Sequence, residues 1–446
     1  MSDQRRQVRR VLGASLVGTT IEWYDFFIYA SASGLVFGQL FFSPLGPTAG
    51  LLASFATIGV SFVVRPFGGI LAGHLGDRFG RRGVLVATLL LMGISTVGVG
   101  LLPTYASIGT AAPVLLVVLR LLQGVSAGGE WGGAALMSVE HAPHGKRGFY
   151  GSFPQLGVPI GLLVANGVFF TVSGLTTREQ FLDWGWRIPF LFSVVLIGVG
   201  LLIRYRVAES PVFEELRQRR ARRSAPLGVV LWQHPRELVV GIGLFMANNM
   251  AGYLLIAFIT TYGTRTLGLS TATMLLIGIA GAVSWGFATL FAARWSDRVG
   301  RKRVYLVGTL ALLVWAFPLF LLLDTANVAL MVLAVVVFGI PLGLTYGQQS
   351  ATYAEMFPAP VRYSGASLAY ALGAVLGGAF APLLSAYLVQ VTGTSLSVSA
   401  YIAVLALITL AAVLAMRERP AAEREAFVDG VPDDGPVAAG QTSSRS

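Results

Sequence analysis

Apolar residues along this chain neither alternate nor stripe one face of short helices. They come in blocks of about 20–30 residues, each closed by a small cluster of charge. At 1.5 Å per residue a block of that length crosses ~30 Å of hydrocarbon with some tilt. Twelve such blocks stand out, at about 11–42, 47–75, 83–102, 112–140, 148–173 and 188–205, then at about 237–264, 271–295, 304–323, 326–357, 363–391 and 397–416. The pattern predicts an all-α membrane protein with twelve transmembrane helices. Its expected divisions are a tail (1–10), a six-helix bundle (11–205), a polar connector (206–236), a second six-helix bundle (237–416) and a Pro/Gly/Ser/acid-rich tail (417–446) expected to be disordered. The basic start SDQRRQVRR resembles the head of a signal peptide. The apolar run behind it is too long for one and holds Glu22, Trp23 and Asp25, so it reads as a retained first helix.

Composition sharpens this reading: 55% of the 446 residues are hydrophobic and 12% charged, against about 25% charged in soluble domains. The formal charge of +11 taken alone suggests nucleic acid, but its placement excludes that partner. Lys and Arg gather in alternate loops and the first tail, leaving Arg65 and Arg120 inside apolar blocks and Arg178, Arg187 and Arg265 beside the other loops. That is the positive-inside bias, and it predicts both termini and the connector on the cytoplasmic side. The connector's charge run reads as a solvated, partly helical link or an anionic-lipid contact. Trp184 and Trp186, in TREQFLDWGW, are expected in an aromatic belt at the outer interface. There is no cysteine, and the four histidines fall at block ends or in loops. No metal site, cofactor, nucleophile–base pair or phosphate-binding glycine loop is in evidence, so an enzyme is not expected.

The two halves echo each other. GHLGDRFGRR (73–82) returns as ARWSDRVGRK (293–302), and Glu140-x-x-Pro143-x-x-x-Arg147 returns as Glu355-x-x-Pro358-x-x-x-Arg362, both offset by about 220 residues. Two echoes at nearly one offset argue for duplicated halves, which puts a substrate cavity near the midplane between them.

Charge inside the blocks is the candidate chemistry. The stretch RLLQGVSAGGEWGGAALMSVE (120–140) joins Arg120, Glu130 and Glu140 to five glycines. A charge in a membrane helix costs roughly 2.5–3.5 kcal/mol on insertion scales, and small residues let helices approach closely. Asp25 lies mid-block with Glu22 three residues earlier on the same helical face. A buried carboxylate that pairs with an arginine in one state and not in another is a proton switch. Arg120 is the expected partner of Asp25, and Glu130 a second relay position. The alternative for all four is a static ion-pair network. Arg65 is either a clamp for a substrate carboxylate or a structural partner. The second half has no acid in mid-block and offers neutral groups instead: Asn248, Asn249, Tyr253, Gln348, Gln349 and Tyr370. With Tyr29 and Gln123 these are the substrate-binding candidates, helix packing being the alternative for each.

Several longer motifs narrow the kind of protein: EWYDFF (22–27), RPFGG (65–69), R-x-x-QG-x-x-x-GGEWGGA (120–134), WGWRIPF, AESP (208–211) and AEMFP-x-x-VRYSGAS (354–367). With the D-R-x-G-R-[RK] repeat, the chain resembles the major facilitator superfamily. Within it the likeness is to the bacterial metabolite:H⁺ symporters, which carry shikimate, citrate, α-ketoglutarate or proline/betaine; WGWRIPFLFS and SVE-x-AP look most like the shikimate branch. The resemblance covers the chain apart from its tails. It implies two pseudo-symmetric bundles in a bacterial cytoplasmic membrane, acting as a monomer without a cofactor and driven by the proton gradient. It implies a symporter that imports a small organic acid, such as a shikimate-like hydroxy-acid or a dicarboxylate, with Asp25 and Arg120 in proton coupling. An uncoupled facilitator or an exporting antiporter is the alternative, but the antiporter pattern G-x-x-x-G-P-x-x-GG is missing where GSFPQLGVPIGLL stands. The resemblance also implies a cytoplasmic gate of Asp77, Arg78, Arg81, Glu140, Arg147, Asp297, Arg298, Glu355 and Arg362.

Overall fold

In the computed structural model every regular element among the described residues is helical. The structure describes residues 2–79, 81–128, 130–206, 226–420, 423, 424 and 428; for 2–11, 70, 72–79, 81–85, 130, 203–206 and 226–227 it describes the backbone alone. The first half holds six long helices. α1 runs Ser2–Ala32 and continues through a π-helical turn, Ser33–Phe37, into Gly38–Leu40. α2 is Gly46–Phe79, α3 is Arg81–Leu101, α4 is Ala111–Ala127 plus Glu130–Glu140, α5 is Arg147–Leu175 and α6 is Ile188–Arg206. In the second half α7 is Pro235–Tyr253, a π turn at Leu254–Phe258, and Ile259–Arg265. α8 is Thr271–Val299, α9 is Arg301–Leu323 and α10 is Val328–Tyr346 plus Gln349–Met356. α11 is Arg362–Gly377 plus Ala381–Thr392, and α12 is Leu396–Ala415. The connector falls mostly outside the described residues, and its end forms the short helix Pro226–Gln233.

Ten of these helices are long and apolar enough to cross a membrane, and α3 adds a shorter apolar stretch, Val86–Leu101. α1 falls short because Glu22, Asp25 and its hydroxyls dilute it. Side chains such as Phe67, Ile94, Phe287, Phe291 and Val314 stand exposed on the outside of the bundle. In water that surface would be a liability; in lipid it is the solvent-facing side.

Each half packs on itself, α1 against α5 and α6, α2 against α4, α7 against α11 and α12, and α8 against α10. The halves meet along α5–α8, α2–α11 and α1–α7. Burial singles out α7, whose spanning window is 89% enclosed, against 33–56% for the other nine candidate spans. It therefore runs down the centre and not along the rim.

The repeat extends to defects that no motif announces. The π turns of α1 and α7 lie at matching places in the two halves, as do the breaks of α4 after Ala127 and of α10 after Tyr346. At α1, Gly34 permits the close approach of α7 at that end: a Cβ there would overlap Thr261 Oγ1 of α7. At the α4 break, a Cβ on Gly128 would overlap the carbonyl of Arg65 and the amide of Gly69. The glycines of α4 thus seat it against α2, the small-residue contact expected in lipid.

WGWRIPF turns out to be a joint between helices. Arg187 donates to the carbonyls of Gly100 and Leu102, both at 2.8 Å, satisfying the open end of α3. Tyr24 donates to the carbonyl of Pro189 at 2.7 Å. The aromatic-belt expectation needs a correction here. Trp184 is 46% exposed, but Trp186 is fully buried among Phe37, Phe41 and Phe190, where ring packing outweighs the interfacial preference.

Candidate functional site

The centre is layered by depth. Uppermost in the first half is a polar cluster around Asp25, 2% exposed, whose Oδ1 accepts from Ser193 on α6 at 2.6 Å. The Thr96 hydroxyl of α3 lies beside the same carboxylate. Arg120, 1% exposed, donates to Gln123 Oε1 at 2.7 Å and to Ser61 Oγ at 2.8 Å, with its guanidinium 3.8 Å above the Tyr29 ring. Gln123 in turn donates to Thr96 at 2.8 Å. The expected Asp25–Arg120 ion pair is therefore not formed; Gln123 and Thr96 stand between the two. The physical reason is satisfaction: Gln123, Ser61 and Tyr29 occupy the guanidinium, and two hydroxyls occupy the carboxylate. Glu22, one turn before Asp25, is buried within electrostatic reach of Tyr253 and Tyr346. The side chain of Glu130 lies outside the described residues.

Beside this cluster, between the halves, is a small void lined from α1 by Trp23 and Phe27 and from α7 by Asn248, Asn249 and Tyr253. Trp285 of α8 and Tyr346 of α10 complete it. Its room is about 10 Å³, roughly one water, whereas small-molecule pockets run ~300–1,000 Å³. The halves must part before a metabolite enters. Asn248 donates to Leu342 O at 2.9 Å and Thr345 Oγ1 at 2.8 Å, and Asn249 to Ala374 O at 3.0 Å, so their amide nitrogens are held by α10 and α11. The hydroxyl of Tyr253 has no partner.

Arg65 stands just behind the lining. Its guanidinium lies 4.0 Å from the Phe26 ring centre, 4.2 Å from Phe62 and 5.6 Å from Trp23, with Nε and Nη2 unpartnered. Ring faces hold the cation without consuming its N–H edges. Those edges are what a carboxylate needs.

Beneath the void the halves are plugged. Trp131 of α4 stacks on Tyr370 of α11 at 3.7 Å and 9°, and Tyr370 on Phe245 of α7 at 4.3 Å. Trp131 donates to Gln155 at 2.9 Å, and Gln155 to Gln349 at 3.2 Å. Four substrate-binding candidates are thus placed elsewhere: Tyr29 and Gln123 in the Asp25 cluster, Gln349 and Tyr370 in the plug. Gln348 donates to Leu344 O at the α10 break and does not line the void.

The lowest layer is ionic. Asp297 of α8 caps α5 across the interface, accepting from the amides of Gly148 at 2.7 Å and Phe149 at 2.9 Å. Arg301 pairs with Asp297 at 2.7 Å and with Glu355 at 3.1 Å, and Arg362 with Glu140 at 3.7 Å across the halves. Arg147 reaches the carbonyl of Arg424. Among the described residues Arg298 takes no part: it stands exposed on the last turn of α8, whereas the chain turns at Gly300 (φ +97°) and brings Arg301, the first residue of α9, back onto Asp297. The side chains of Asp77, Arg78 and Arg81 lie outside the described residues.

Sequence reasoning missed Ser193, Thr96, Ser61, Gln155, Trp285 and the lining role of Trp23. Only Trp23 carried a signal, as the aromatic neighbour of Glu22 in EWYDFF. Single hydroxyls in apolar helices are otherwise common and carry none.

Two related six-helix bundles thus pack face to face around a closed central void. The profile of the Major Facilitator Superfamily matches residues 16–370 and 284–439. The chain belongs to that superfamily and is a transporter, not an enzyme. It is 44% identical to the inner membrane metabolite transport protein YhjE of Escherichia coli, over 92% of this chain and 94% of that one. It is 41% identical to the E. coli shikimate transporter, covering 92% and 95%, and 33% identical to the Salmonella typhimurium proline/betaine transporter, covering 92% and 84%. Among solved structures, a D-xylose-proton symporter superposes with a TM-score of 0.73 at 20% identity, covering 93% of this chain and 98% of that one.

Proposed function

We propose that this protein is a proton-coupled symporter of the bacterial cytoplasmic membrane that imports a small organic acid. The carrying observation is the division between two buried charge sites: Asp25, held by hydroxyls with no arginine in contact, and Arg65, whose two free nitrogens stand behind the void. Asp25 takes and releases the proton. Arg65 takes the substrate carboxylate once the halves part. Gln123 and Thr96 connect Asp25 to Arg120, so a change in charge at Asp25 is felt on the Arg120 side, next to Arg65. The basic face, with its ionic layer, is the cytoplasmic one by charge bias. The relatives' names, a shikimate and a proline/betaine transporter, support a small polar metabolite, and the amide and phenol groups of the void suit a ring bearing hydroxyls.

The test is uptake in proteoliposomes against a panel of hydroxy-acids, dicarboxylates and betaines. One carboxylate accumulates uphill, alkalinises the outside as it enters, and stops with a protonophore. Uptake indifferent to both ion gradients would identify a facilitator; accumulation driven by an opposed proton gradient would identify an exporter.

A further inference from the structure

The chain beyond α12 does not leave the bundle at once. Glu418 accepts from the backbone amides of Arg301 and Lys302 at the start of α9, and Lys302 Nζ donates to the carbonyls of Leu414 and Met416 at 2.8 Å. Arg419 donates to the carbonyl of Glu355 at 2.7 Å. Arg424 lies 3.4 Å from Glu418 and 3.9 Å from the Glu355 carboxylate, while its own carbonyl accepts from Arg147 of α5 at 3.3 Å. Val428, 5% exposed, sits among Leu136 and Val139 of α4 and Ala351 and Ala354 of α10, and its carbonyl accepts from Arg362 at 2.9 Å.

In the stretch expected to be disordered from Arg417, the described residues Glu418, Arg419, Arg424 and Val428 therefore lie against the seam between the halves. Arg147, Leu136 and Val139 belong to the first half; Arg301, Glu355, Ala351, Ala354 and Arg362 belong to the second. Whichever way the basic face opens, α4 and α5 must move away from α10 and α11, and a segment gripping both must release one side. We propose that the described residues after α12, gripping through Glu418, Arg419, Arg424 and Val428, act as a strap that holds the basic face shut, with Val428 as its apolar plug. Its release sets how often that face opens. The placement fits the chemistry: Val428 is an apolar residue within an acid-rich tail, and it meets an apolar cluster of Leu136, Val139, Ala351 and Ala354 beside Arg362.

The native chain has no cysteine, so a single introduced thiol reports cleanly. Ser350→Cys serves as the reporter: Ser350 is fully buried on α10, its hydroxyl unpartnered, about a turn deeper than Ala354 and against α5. Thr261→Cys on α7 reports the opposite face. The measurement is the rate of maleimide labelling of the full chain in nanodiscs, with neither substrate nor gradient, so its outcome does not depend on the transport reading. In Val428→Lys, which places a cation in that apolar cluster beside Arg362, labelling at Ser350→Cys should rise roughly five- to tenfold. Thr261→Cys should not rise, and Val428→Ile should match the parent. Unchanged labelling at Ser350→Cys overturns the strap, as does an equal rise at both faces or a rise with Val428→Ile as large as with Val428→Lys.

Discussion

The two halves share a fold, π turns and helix breaks, yet their centres are chemically unlike. The first half buries Glu22, Asp25, Arg65 and Arg120. The second presents Asn248, Asn249, Tyr253, Trp285 and Tyr346 at the same depth without a charge. On the proposed symport reading, duplication would supply a scaffold able to rock, since matching helices can pack in two arrangements about one axis. Divergence would supply the chemistry. Concentrating charge in one half would keep proton exchange on groups that the first half holds itself, through Ser193, Thr96, Gln123 and Ser61. The second half can then grip a substrate with dipoles that cost less to desolvate when the site is empty.

That comparison breaks first at Asp25. Asp25→Asn keeps shape and hydrogen-bonding capacity but removes the exchangeable charge. Uphill accumulation should collapse to equilibration while counterflow exchange survives, both measured in proteoliposomes. Each net charge moved across 100 mV is worth ~2.3 kcal/mol, about a fifty-fold gradient, so the loss is large. Normal accumulation by this variant would move the coupling elsewhere.

Arg65 comes next. Hydrogen bonds to charged groups contribute about 1.5–3 kcal/mol, so Arg65→Ala should raise the KM for a carboxylate roughly 10- to 150-fold. Arg65→Lys should recover part of that, lacking the fork. An unchanged KM would leave Arg65 a structural cation held by Phe26 and Phe62.

Tyr253→Phe is a smaller and cleaner probe of the second half. The hydroxyl bonds nothing in the protein, so melting temperature should hold, while KM rises about two- to tenfold if the phenol meets substrate. A fall in stability with KM intact would return Tyr253 to packing. Smallest of all is Arg298→Ala, expected within ±0.5 kcal/mol in stability and without effect on uptake. A large loss there would show that the ionic layer extends beyond Arg301.

Most of the fold was legible, because lipid imposes a strong rule: every spanning segment must be helical, long and apolar, and every exception must be used. The blocks, the repeat and the embedded charges follow from that rule directly. Asp297, Glu355 and Arg362 stood out for a similar reason, as repeated charges at a repeated depth, and they lie in the ionic layer between the halves. Arg298 and Arg301 come from one D-R-x-G-R string, yet Arg298 ends α8 exposed while Arg301, across the turn at Gly300, opens α9 at the centre of the ionic layer. Only the turn of α8 and the approach of α10 decide which one faces inward.

The sequence by itself determined a twelve-helix membrane protein in two related halves with its charge in the first. It also marked Glu22, Asp25, Arg65 and Arg120 as buried, since burial of a charge in an apolar block is read along one dimension, whereas the burial of Arg147, Arg301 and Arg362 outside those blocks came from tertiary contacts. Only the tertiary structure decided who meets whom: Asp25 with Ser193 in place of Arg120, Tyr370 in the plug and not the void, and Val428 across the seam. Partners are chosen by helix rotation, tilt and local breaks. Those depend on contacts between segments some 60 to 290 residues apart, which no local pattern records.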